Sequence, residues 1–335
     1  MLLKFFLLTL LSAVTALPAL AQHRAYTPAN DTIRHLPLKA QLPPAVMETS
    51  GLCYTSGQLW TLNDSGNVPV LFQLDSASGR VVQRVRLTNF ANVDWEDLTA
   101  DAHYLYVGDF GNNNGTRRNL RVLRLPRPAP ADSTAQAEAI AFSYPDQTDF
   151  TSRPNQQNFD CEAFFVAHDS LHLFTKNWQD QRTCYYTLPT APGAYVAHLR
   201  GSFATNGLIT AAALNPAGTV AALLGYRVQD GSAFLWLLQG SGSSFLRGTE
   251  RRVELPSVLE IGQVEGICFV VNSRVFISNE ALSKLIFNVP PQLYALGLGP
   301  WLGVGRPSPR RKSYGTPMRQ APSPKKRRSV GEANR

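Results

Sequence analysis

The sequence predicts an all-β protein with the β-propeller fold, built from four-stranded blades. Short apolar segments separated by turn residues recur along the chain in groups of four, and no stretch shows a sustained helical period. The first strands of successive groups align on the following residues, at spacings of 46, 66, 48 and 55: Ser50, Glu96, Glu162, Thr210 and Glu265. Four-stranded units repeated at this period are typical of a β-propeller.

The repeats give five blades between residues 32 and 302. The first reads GLCYTS, LWTLND, VLFQLD and RVVQRVRL, and the third reads CEAFFVAH, LHLFTKNW, CYYTLP and YVAHLRGSF. The fifth reads VEGICFVV, RVFISNE and QLYAL and lacks an outermost strand, so we expect residues 32–39 (TIRHLPLK) to supply it and close the ring. Six blades would require two strands to be miscounted. An irregular β-sandwich is the alternative, but sandwiches do not repeat an acidic motif in register.

The first 31 residues predict export. Residues 1–21 combine one Lys, an apolar run and Ala-Leu-Ala, which is typical of a signal peptide cut before Gln22, and residues 22–31 form a polar lead. We therefore expect a periplasmic or secreted protein with no transmembrane segment. An uncleaved membrane anchor is the alternative, although the apolar run is short for one.

The net charge of +8 is concentrated at the C-terminal end. Residues 303–335 contain ten Lys and Arg and one acid, Glu332, so this segment has a charge of +9 and the rest of the chain −1. The segment is rich in Pro and Ser, and we expect a basic disordered tail. A nucleic-acid-binding arm is the alternative. The remaining chain has no basic stripe with interleaved aromatic residues, so we expect no nucleic-acid partner.

Acidic and amide residues recur where the first strand of a repeat begins and the second ends, and in a propeller both places lie beside the central channel on one face. First strands contribute Glu48, Asp94, Glu96, Asp97, Asp160, Glu162 and Glu265. Second strands contribute Asn63, Asp64, Asp109, Asn112, Lys176, Asn177, Asn279 and Glu280. Singly, motifs such as NDSGN and GDFGNNN are typical of turns. Their agreement in register predicts one acidic mouth, in which Lys176 is the single offsetting charge.

Carboxylates held this close must bind a cation or take up protons. Carboxylate and amide oxygens suit a hard cation, so we expect Ca²⁺. The predicted metal ligands are Glu48, Asp94, Glu96, Asp160, Glu162, Glu265 and Glu280. Five further residues, Asn63, Asp97, Asn112, Asn177 and Asn279, would complete the mouth.

Two functions fit this mouth. The first is a metal-assisted hydrolase of a small ester, lactone or phosphoester, with Asp64 or Asp109 as the base and Lys176 stabilising developing negative charge. The second is a non-catalytic binding or scaffold propeller, in which Ca²⁺ is structural and the acidic mouth binds a small molecule or carbohydrate, that is, a cationic or a sugar ligand. In both cases we expect a monomer.

Histidine and cysteine chemistry is not predicted. The six histidines fall outside the mouth positions, which excludes a zinc cluster or a Ser-His-Asp triad there. The four cysteines show no CxxC motif. Cys53 and Cys268 share one register of two repeats, on strands expected to be buried, and this favours buried free thiols over disulfides.

Several of these motifs resemble an exported bacterial β-propeller family. They are ETSGL (residues 48–52), LWTLNDSGN (59–67), DWEDLTAD (94–101), VGDFGNN (107–113), NFDCEA (158–163), VEGICF and ISNE. The family is similar to the esterase-like phytase and SdiA-regulated propellers, and more remotely to gluconolactonase-type propellers. The resemblance implies a mouth that holds one or more Ca²⁺ ions, in a superfamily that includes phosphate-ester and lactone hydrolases. Phytase-type propellers line their site with Lys and Arg, whereas this mouth offers only Lys176.

Overall fold

The computed structural model describes residues 31–240, 245–284 and 287–302. The predicted signal peptide, nearly all of the polar lead and the basic tail lie outside these residues. Within them, five sheets of antiparallel strands form a closed ring, because each innermost strand packs against the innermost strands of two neighbouring blades. The predicted five-bladed β-propeller is confirmed.

Each blade is described here from the channel outwards. Blade 1 contains Thr49–Thr55, Gln58–Asn63, Val70–Leu74 and Val81–Leu87. Blade 2 contains Trp95–Ala100, Tyr104–Asp109, Arg121–Pro126 and Glu138–Ser143. Blade 3 contains Cys161–Ala167, Ser170–Thr175, Thr183–Pro189 and His198–Phe203. Blade 4 contains Leu208–Leu214, Val220–Tyr226, Ser232–Gln239 and Thr249–Ser257. Blade 5 contains Gln263–Val271, Arg274–Glu280, Gln292–Gly297 and the N-terminal strand Leu38–Gln41.

Smaller elements connect and extend the blades. Short parallel strands, Thr134–Ala135 and Gly193–Val196, add to the outer edges of blades 1 and 2. The other elements are the hairpin Leu282–Lys284 and Phe287–Val289, the 3₁₀ turns Pro44–Val46 and Phe245–Arg247, and the one-turn α-helices Val258–Ile261 and Gly299–Leu302. Among the described residues, no helix has the length and apolar character needed to cross a membrane.

The segment YVAHLRGSF, predicted as one outer strand of blade 3, serves two blades. Its first part belongs to Gly193–Val196, which pairs with blade 2, and its second part is His198–Phe203 of blade 3. The Ala197 N–H between them donates to the Ser143 carbonyl at 2.9 Å. The chain therefore crosses from one blade to the next within this segment.

The N-terminal segment closes the ring as predicted, but the predicted bounds 32–39 are wrong. Leu38–Gln41 pairs antiparallel with Gln292–Gly297 and completes blade 5. Residues before it contact blade 4, where the Ile33 N–H donates to the Glu254 carbonyl at 2.8 Å. Leu36 is buried in the core between blades 4 and 5, and pairing with blade 5 starts at Pro37, whose carbonyl accepts from the Ala295 N–H at 3.0 Å.

Five hydrophobic clusters between neighbouring blades form the core. The core between blades 1 and 2 includes Trp60 and Trp95, and the core between blades 3 and 4 includes Phe174 and Phe234. Trp95 is fully buried. The cores fix each blade against its neighbours, and so fix the inner strands around the channel.

Two-residue turns close the inner hairpins of blades 1 and 3 at the face opposite the mouth. Ser56 and Gly57 have φ of 49° and 81°, and His168 and Asp169 have φ of 47° and 57°. Two successive left-handed residues are typical of the type I′ turn, whose twist matches that of the strands. These tight turns place the start of the innermost strand beside the end of the second strand at the opposite end of the hairpin.

The cysteines are free thiols, as predicted. Cys53, Cys161 and Cys268 are buried and Cys184 is half-buried. Burial raises the pKa of Cys53 to about 12, so its thiol stays protonated at neutral pH.

Candidate functional site

The predicted mouth is a cavity of about 960 Å³, its opening to solvent included, at one end of the channel. All five blades contribute to it. Its lining consists of Ser50, Asp64, Glu96, Asn113, Asn114, Pro154, Asn155, Glu162, Lys176, Trp178, Tyr226, Gln263, Glu265 and Glu280. The structure therefore brings together five of the predicted carboxylates and Lys176 in one cavity.

The residue on which the first strands of the five repeats were aligned has one of two roles. In blades 1 and 4 it is a hydroxyl that bonds to the next blade: Ser50 donates to the Glu96 carbonyl, and Thr210 donates to the Val264 carbonyl at 2.7 Å. In blades 2, 3 and 5 it is Glu96, Glu162 or Glu265, each of which lines the cavity. The hydroxyls join the blades, and the three Glu residues supply the charge.

Asp64, Asp94 and Glu96 form the tightest acidic group. Each offers one carboxylate oxygen, and these oxygens all lie within 4.8 Å of one another. Because Ca²⁺ lies 2.3–2.6 Å from its oxygen ligands, one ion can join oxygens up to about 5 Å apart. The donor set therefore fits a single hard cation.

Glu96 is the most confined member of this group. Its side chain is 4% exposed, and within the described residues its carboxylate has no hydrogen bond or ion pair. Gly111 packs directly against it: a Cβ there would overlap Glu96 Oε1 and lie 2.6 Å from Asp94 Oδ2. Burial and the neighbouring carboxylates Glu162 and Asp64 raise the pKa of Glu96 well above its usual range. A cation would supply the missing positive charge.

Glu162 and Lys176 form a buried ion pair on the wall of the cavity. Lys176 Nζ lies 2.9 Å from Glu162 Oε2, and the two side chains are 6% and 4% exposed. The ammonium also lies 5.0 Å from the centroid of the Trp178 ring and 5.9 Å from that of Tyr226. Burial lowers the pKa of Lys176, but Glu162 and the other neighbouring acids outweigh this effect and raise it well above its usual range. Lys176 is therefore charged at neutral pH.

Two further carboxyl groups hold protons near neutral pH. Burial raises the pKa of Glu265 to about 7 against the opposing effects of Lys176 and a hydrogen bond from Gln263. Burial and the charges of Glu265 and Asp64 raise the pKa of Glu280 to about 9. Such groups can give or take a proton at physiological pH.

Asp109 and Asp160 lie beside the cavity without lining it. Asp109 accepts ion pairs from Arg117 at 3.0 Å and Arg121 at 2.7 Å. Arg117 also lies 3.9 Å from Asp94. The expectation that Lys176 alone offsets the acids is therefore wrong, because Arg117, in the loop after blade 2's second strand, and Arg121, at the start of its third strand, also do so.

Asp160 is fully buried and joins two loops. One carboxylate oxygen accepts from the Asn112 N–H at 2.6 Å, and the other accepts from Trp178 Nε1 at 2.8 Å. Burial raises its pKa, against the opposing effect of Lys176 and these hydrogen bonds. Asp160 thereby connects the loop that contains Gly111 to an aromatic wall of the cavity.

The other predicted mouth residues are mostly bound to backbone. Asp97 is fully buried and accepts from the N–H groups of Leu98, Phe164 and Ala212, on the inner strands of blades 2, 3 and 4. Glu48 is exposed at the rim and accepts from Asn67.

The four predicted asparagines donate side-chain hydrogen bonds to other loop residues, some nearby in the chain and some in neighbouring segments. Asn63 donates to the Ala45 carbonyl at 3.0 Å, and Asn112 donates to the Phe159 carbonyl at 3.1 Å. Asn177 donates to Asp180 at 3.0 Å, and Asn279 donates to the Pro290 carbonyl at 3.0 Å. None of the four lines the cavity. They hold the loops that follow the second strands.

Sequence reasoning missed several lining residues outside its register positions. Trp178 follows Asn177 directly and lines the cavity, and Gln263 lies two residues before the aligned Glu265. Asn155 enters from the long loop between blades 2 and 3, where its N–H donates to the Asn113 carbonyl at 3.0 Å. The spacing of 66 residues between Glu96 and Glu162 was the sequence feature that could have indicated a long loop at the cavity.

Comparison with protein families finds no match to this chain, and comparison with curated protein sequences finds none either. Among solved structures, the chain is similar to the PQQ-bound aldose sugar dehydrogenase of Streptomyces coelicolor, with a TM-score of 0.45 and 10% identity over 77% of this chain and 96% of that one. It is also similar to a Bacteroides fragilis protein provisionally named a 6-phosphogluconolactonase, with a TM-score of 0.35 and 12% identity over 75% and 65% of the two chains. These neighbours are β-propellers, and the similarity concerns the fold alone.

Proposed function

We propose that the mouth binds a divalent cation, Ca²⁺, through Asp64, Asp94 and Glu96. The observation that supports this most strongly is the mutual approach of their carboxylate oxygens to within 4.8 Å. The buried carboxylate of Glu96, without a partner among the described residues, adds to it. We retain from the sequence the proposal that the protein is exported, a compartment in which Ca²⁺ is the abundant hard cation.

The other predicted ligands have different roles in this proposal. Glu162 is committed to Lys176, Asp160 to Asn112 and Trp178, and Glu48 lies at the rim. Glu265 and Glu280 line the cavity and have raised pKa values, so in this proposal they exchange protons rather than bind the ion.

The cavity's charge favours a metal-assisted hydrolase of an uncharged small ester or lactone. Five carboxylates line it against one ammonium, Lys176. Even with Glu265 and Glu280 protonated, the charges of Lys176 and one Ca²⁺ only balance those of Asp64, Glu96 and Glu162, so no net positive charge is left to attract a dianionic phosphoester. An uncharged acyl compound needs no such charge.

The chain's own residues would handle the charge and the proton. A bound Ca²⁺ would polarise a carbonyl oxygen and lower the pKa of a water molecule. Lys176, fixed by Glu162 and flanked by Trp178 and Tyr226, would stabilise developing negative charge on the substrate. Glu265, with a pKa of about 7, would accept a proton from water and return it to the leaving group. Asp109 is less suited to the role of base, because two arginines hold it outside the cavity lining.

Thermal unfolding of the purified protein in Ca²⁺ and in excess chelator tests the cation site. An ion that binds only the folded state raises the melting temperature by mass action. We expect a Ca²⁺-dependent rise that Glu96→Gln abolishes. The matched control is Glu260→Gln, an exposed Glu in the first turn of a helix, and it should keep the full rise. Equal melting temperatures in Ca²⁺ and chelator would refute the site.

Hydrolysis of a panel of uncharged esters and lactones, in Ca²⁺ and in chelator, tests the reaction. We expect turnover that the chelator abolishes and that Glu265→Gln reduces about a hundredfold, the usual contribution of one acid-base group. Turnover that persists fully in chelator would contradict a metal-assisted reaction.

A binding module is the second candidate, favoured by the aromatic and amide groups of the lining. Trp178 and Tyr226 offer ring surfaces, and Asn113 and Asn155 offer amide groups, a combination that suits a carbohydrate. Saturable sugar binding by calorimetry, without turnover of any panel compound, would favour this candidate.

A further inference from the structure

The mouth has more negative charge than its neighbours neutralise. Of the five carboxylates that line the cavity, Glu162 alone forms an ion pair within the described residues. Glu96 is buried without a hydrogen bond or ion pair there, which marks a position where a positively charged group would be stabilised. The raised pKa values of Glu265 and Glu280 have the same physical origin, burial without sufficient counter-charge.

The cavity also has surfaces that suit a guanidinium or ammonium group. Trp178 and Tyr226 line it, and both already lie within 6 Å of the Lys176 ammonium. Aromatic faces attract cations, and arginine stacks on them especially well. The combination of free carboxylates and aromatic rings is complementary to a Lys- and Arg-rich polypeptide.

Such a polypeptide is present in the same chain. Residues 303–335 contain ten Lys and Arg and one acid, and four of the basic residues are consecutive, at 325–328. The folded chain leads into this segment at Leu302, in the helix after Gln292–Gly297. In that strand Gln292 pairs with Asn279 at the mouth end, and Gly297 pairs with Arg274 at the other end. The segment therefore starts near the face opposite the mouth.

The segment is long enough to reach the cavity. At about 3.3 Å per residue, its 33 residues can span roughly 110 Å, and the basic group at 325–328 up to about 80 Å. A blade strand of seven residues is about 23 Å long, so a path around the edge of the propeller is well within this reach. Attachment to the same chain also gives the segment a high effective concentration at the mouth.

We propose that residues 303–335 bind in the acidic mouth of their own propeller. The Lys and Arg side chains pair with the carboxylates of the cavity, and the segment competes there with other cations. The docking depends on the cavity's carboxylates and aromatic rings and does not require a bound cation. The competition between this segment and Ca²⁺ rests on the proposed function. If the mouth binds Ca²⁺, the segment regulates the access of the ion to its site.

Zero-length carbodiimide cross-linking of the full chain, read by mass spectrometry, tests the docking. The reagent joins a lysine ammonium to a carboxylate in contact with it. In chelator at low salt, we expect Lys325 and Lys326 to couple to Asp64 and Glu280. Replacing all four basic residues at 325–328 by Gln should remove these products and leave the folded part unchanged.

Two exposed carboxylates serve as controls for random collision. Asp169 lies in the hairpin turn at the face where the segment starts, and Asp132 lies in an exposed loop. Coupling to these residues as often as to Asp64 and Glu280 would overturn the proposal. A mixture of isotopically light and heavy protein identifies the chain that supplies the lysine, and cross-links mainly between light and heavy copies would also overturn it.

The unmodified chain and the variant with Gln at 325–328 also distinguish the docking of the segment from the binding of Ca²⁺. We expect the four-residue Gln variant to need about fivefold less Ca²⁺ than the unmodified chain for the half-maximal rise in melting temperature, since a competing ligand has been removed. Cross-links at the mouth with no Ca²⁺ effect would sustain the docking and reject the cation site. A Ca²⁺ effect with no cross-links at the mouth would do the opposite.

Discussion

Gly111 shows how one residue without a side chain can hold an acidic group together. It follows the second strand of blade 2, and its N–H donates to the Asp94 carbonyl at 3.2 Å. The carboxylates of Asp94 and Glu96 pack against its Cα, so any side chain would displace them. Because the φ of Gly111 is not in the left-handed region, space rather than backbone conformation requires glycine here.

Gly111→Ala should therefore weaken the proposed cation site while preserving the fold. We expect the Ca²⁺-dependent rise in melting temperature to fall by more than half, because at least one carboxylate must move. Gly297→Ala is the matched control: a Cβ there meets no atom within 4 Å, and its φ is also outside the left-handed region. A full Ca²⁺ response in Gly111→Ala would show that the three carboxylates do not share an ion.

Lys176 has a structural role that can be measured apart from any reaction. Lys176→Met would leave Glu162 buried without its partner, and removing one member of a buried pair typically costs about 3–5 kcal/mol. We expect that loss of unfolding free energy in urea at pH 8, and a smaller loss at pH 5, where Glu162 can take up a proton.

The double variant Lys176→Met, Glu162→Gln supplies the control. It removes the unpaired charge, so most of the lost stability should return at pH 8. Equal destabilisation by Lys176→Met at both pH values would argue that the lost contacts with Trp178 and Tyr226, rather than the charge of Glu162, cause the effect.

At the level of elements, the blades were readable from sequence because strand patterns and turns are local. Ser56-Gly57 and His168-Asp169 mark hairpin tips, and the register of Glu96, Glu162 and Glu265 follows from strand alternation. Closure of the propeller ring then brings these side chains together in one cavity.

The individual roles of the carboxylates were not readable, because they depend on loop partners. Asp109 forms ion pairs with Arg117 and Arg121 only after the loop that follows Asp109 has folded back. Asp160 is held by Trp178, 18 residues away, and Asp97 by backbone groups of three blades. Strand periodicity contains no information about such contacts. The proposed triad likewise depends on how closely Asp64 of blade 1 approaches Asp94 and Glu96 of blade 2.

The closing strand offers a test of ring closure at the element scale. Leu36 is 2% exposed and packs between blades 4 and 5, whereas Leu38, two residues later, is 50% exposed. Leu36→Ala should lower the unfolding free energy by about 2–4 kcal/mol, as for other buried leucines. Leu38→Ala should change it by less than about 0.5 kcal/mol. Equal effects in urea denaturation would mean that the N-terminal segment does not close the ring as described.

At the scale of the whole molecule, ring closure forces acids from four of the five blades into one cavity. The five interblade cores and the hydroxyl bonds of Ser50 and Thr210 fix the inner strands, so the carboxylates cannot separate to relieve repulsion. Folding therefore costs free energy at the mouth whenever these groups are ionised. The cost depends on pH and on the presence of a cation.

Stability in chelator should consequently fall as pH rises. The pKa of Glu265 is about 7 in the folded protein against an ordinary 4.5, so between these values the folded state holds a proton that the unfolded state has lost. Each rise in pH through this window removes stability, up to about 3 kcal/mol for this group. Glu280, with a pKa of about 9, extends the fall to higher pH.

Urea denaturation at pH 5, 7 and 9, with chelator or with Ca²⁺, measures this dependence. In chelator we expect the unfolding free energy to decrease from pH 5 to pH 9, and Glu265→Gln to flatten the decrease between pH 5 and 7. Glu260→Gln, an exposed control, should leave the slope unchanged. Ca²⁺ should stabilise the protein most at pH 9, where the carboxylates are ionised and the ion replaces bound protons. A stability that rises with pH in chelator would contradict the crowding of uncompensated acids at the mouth.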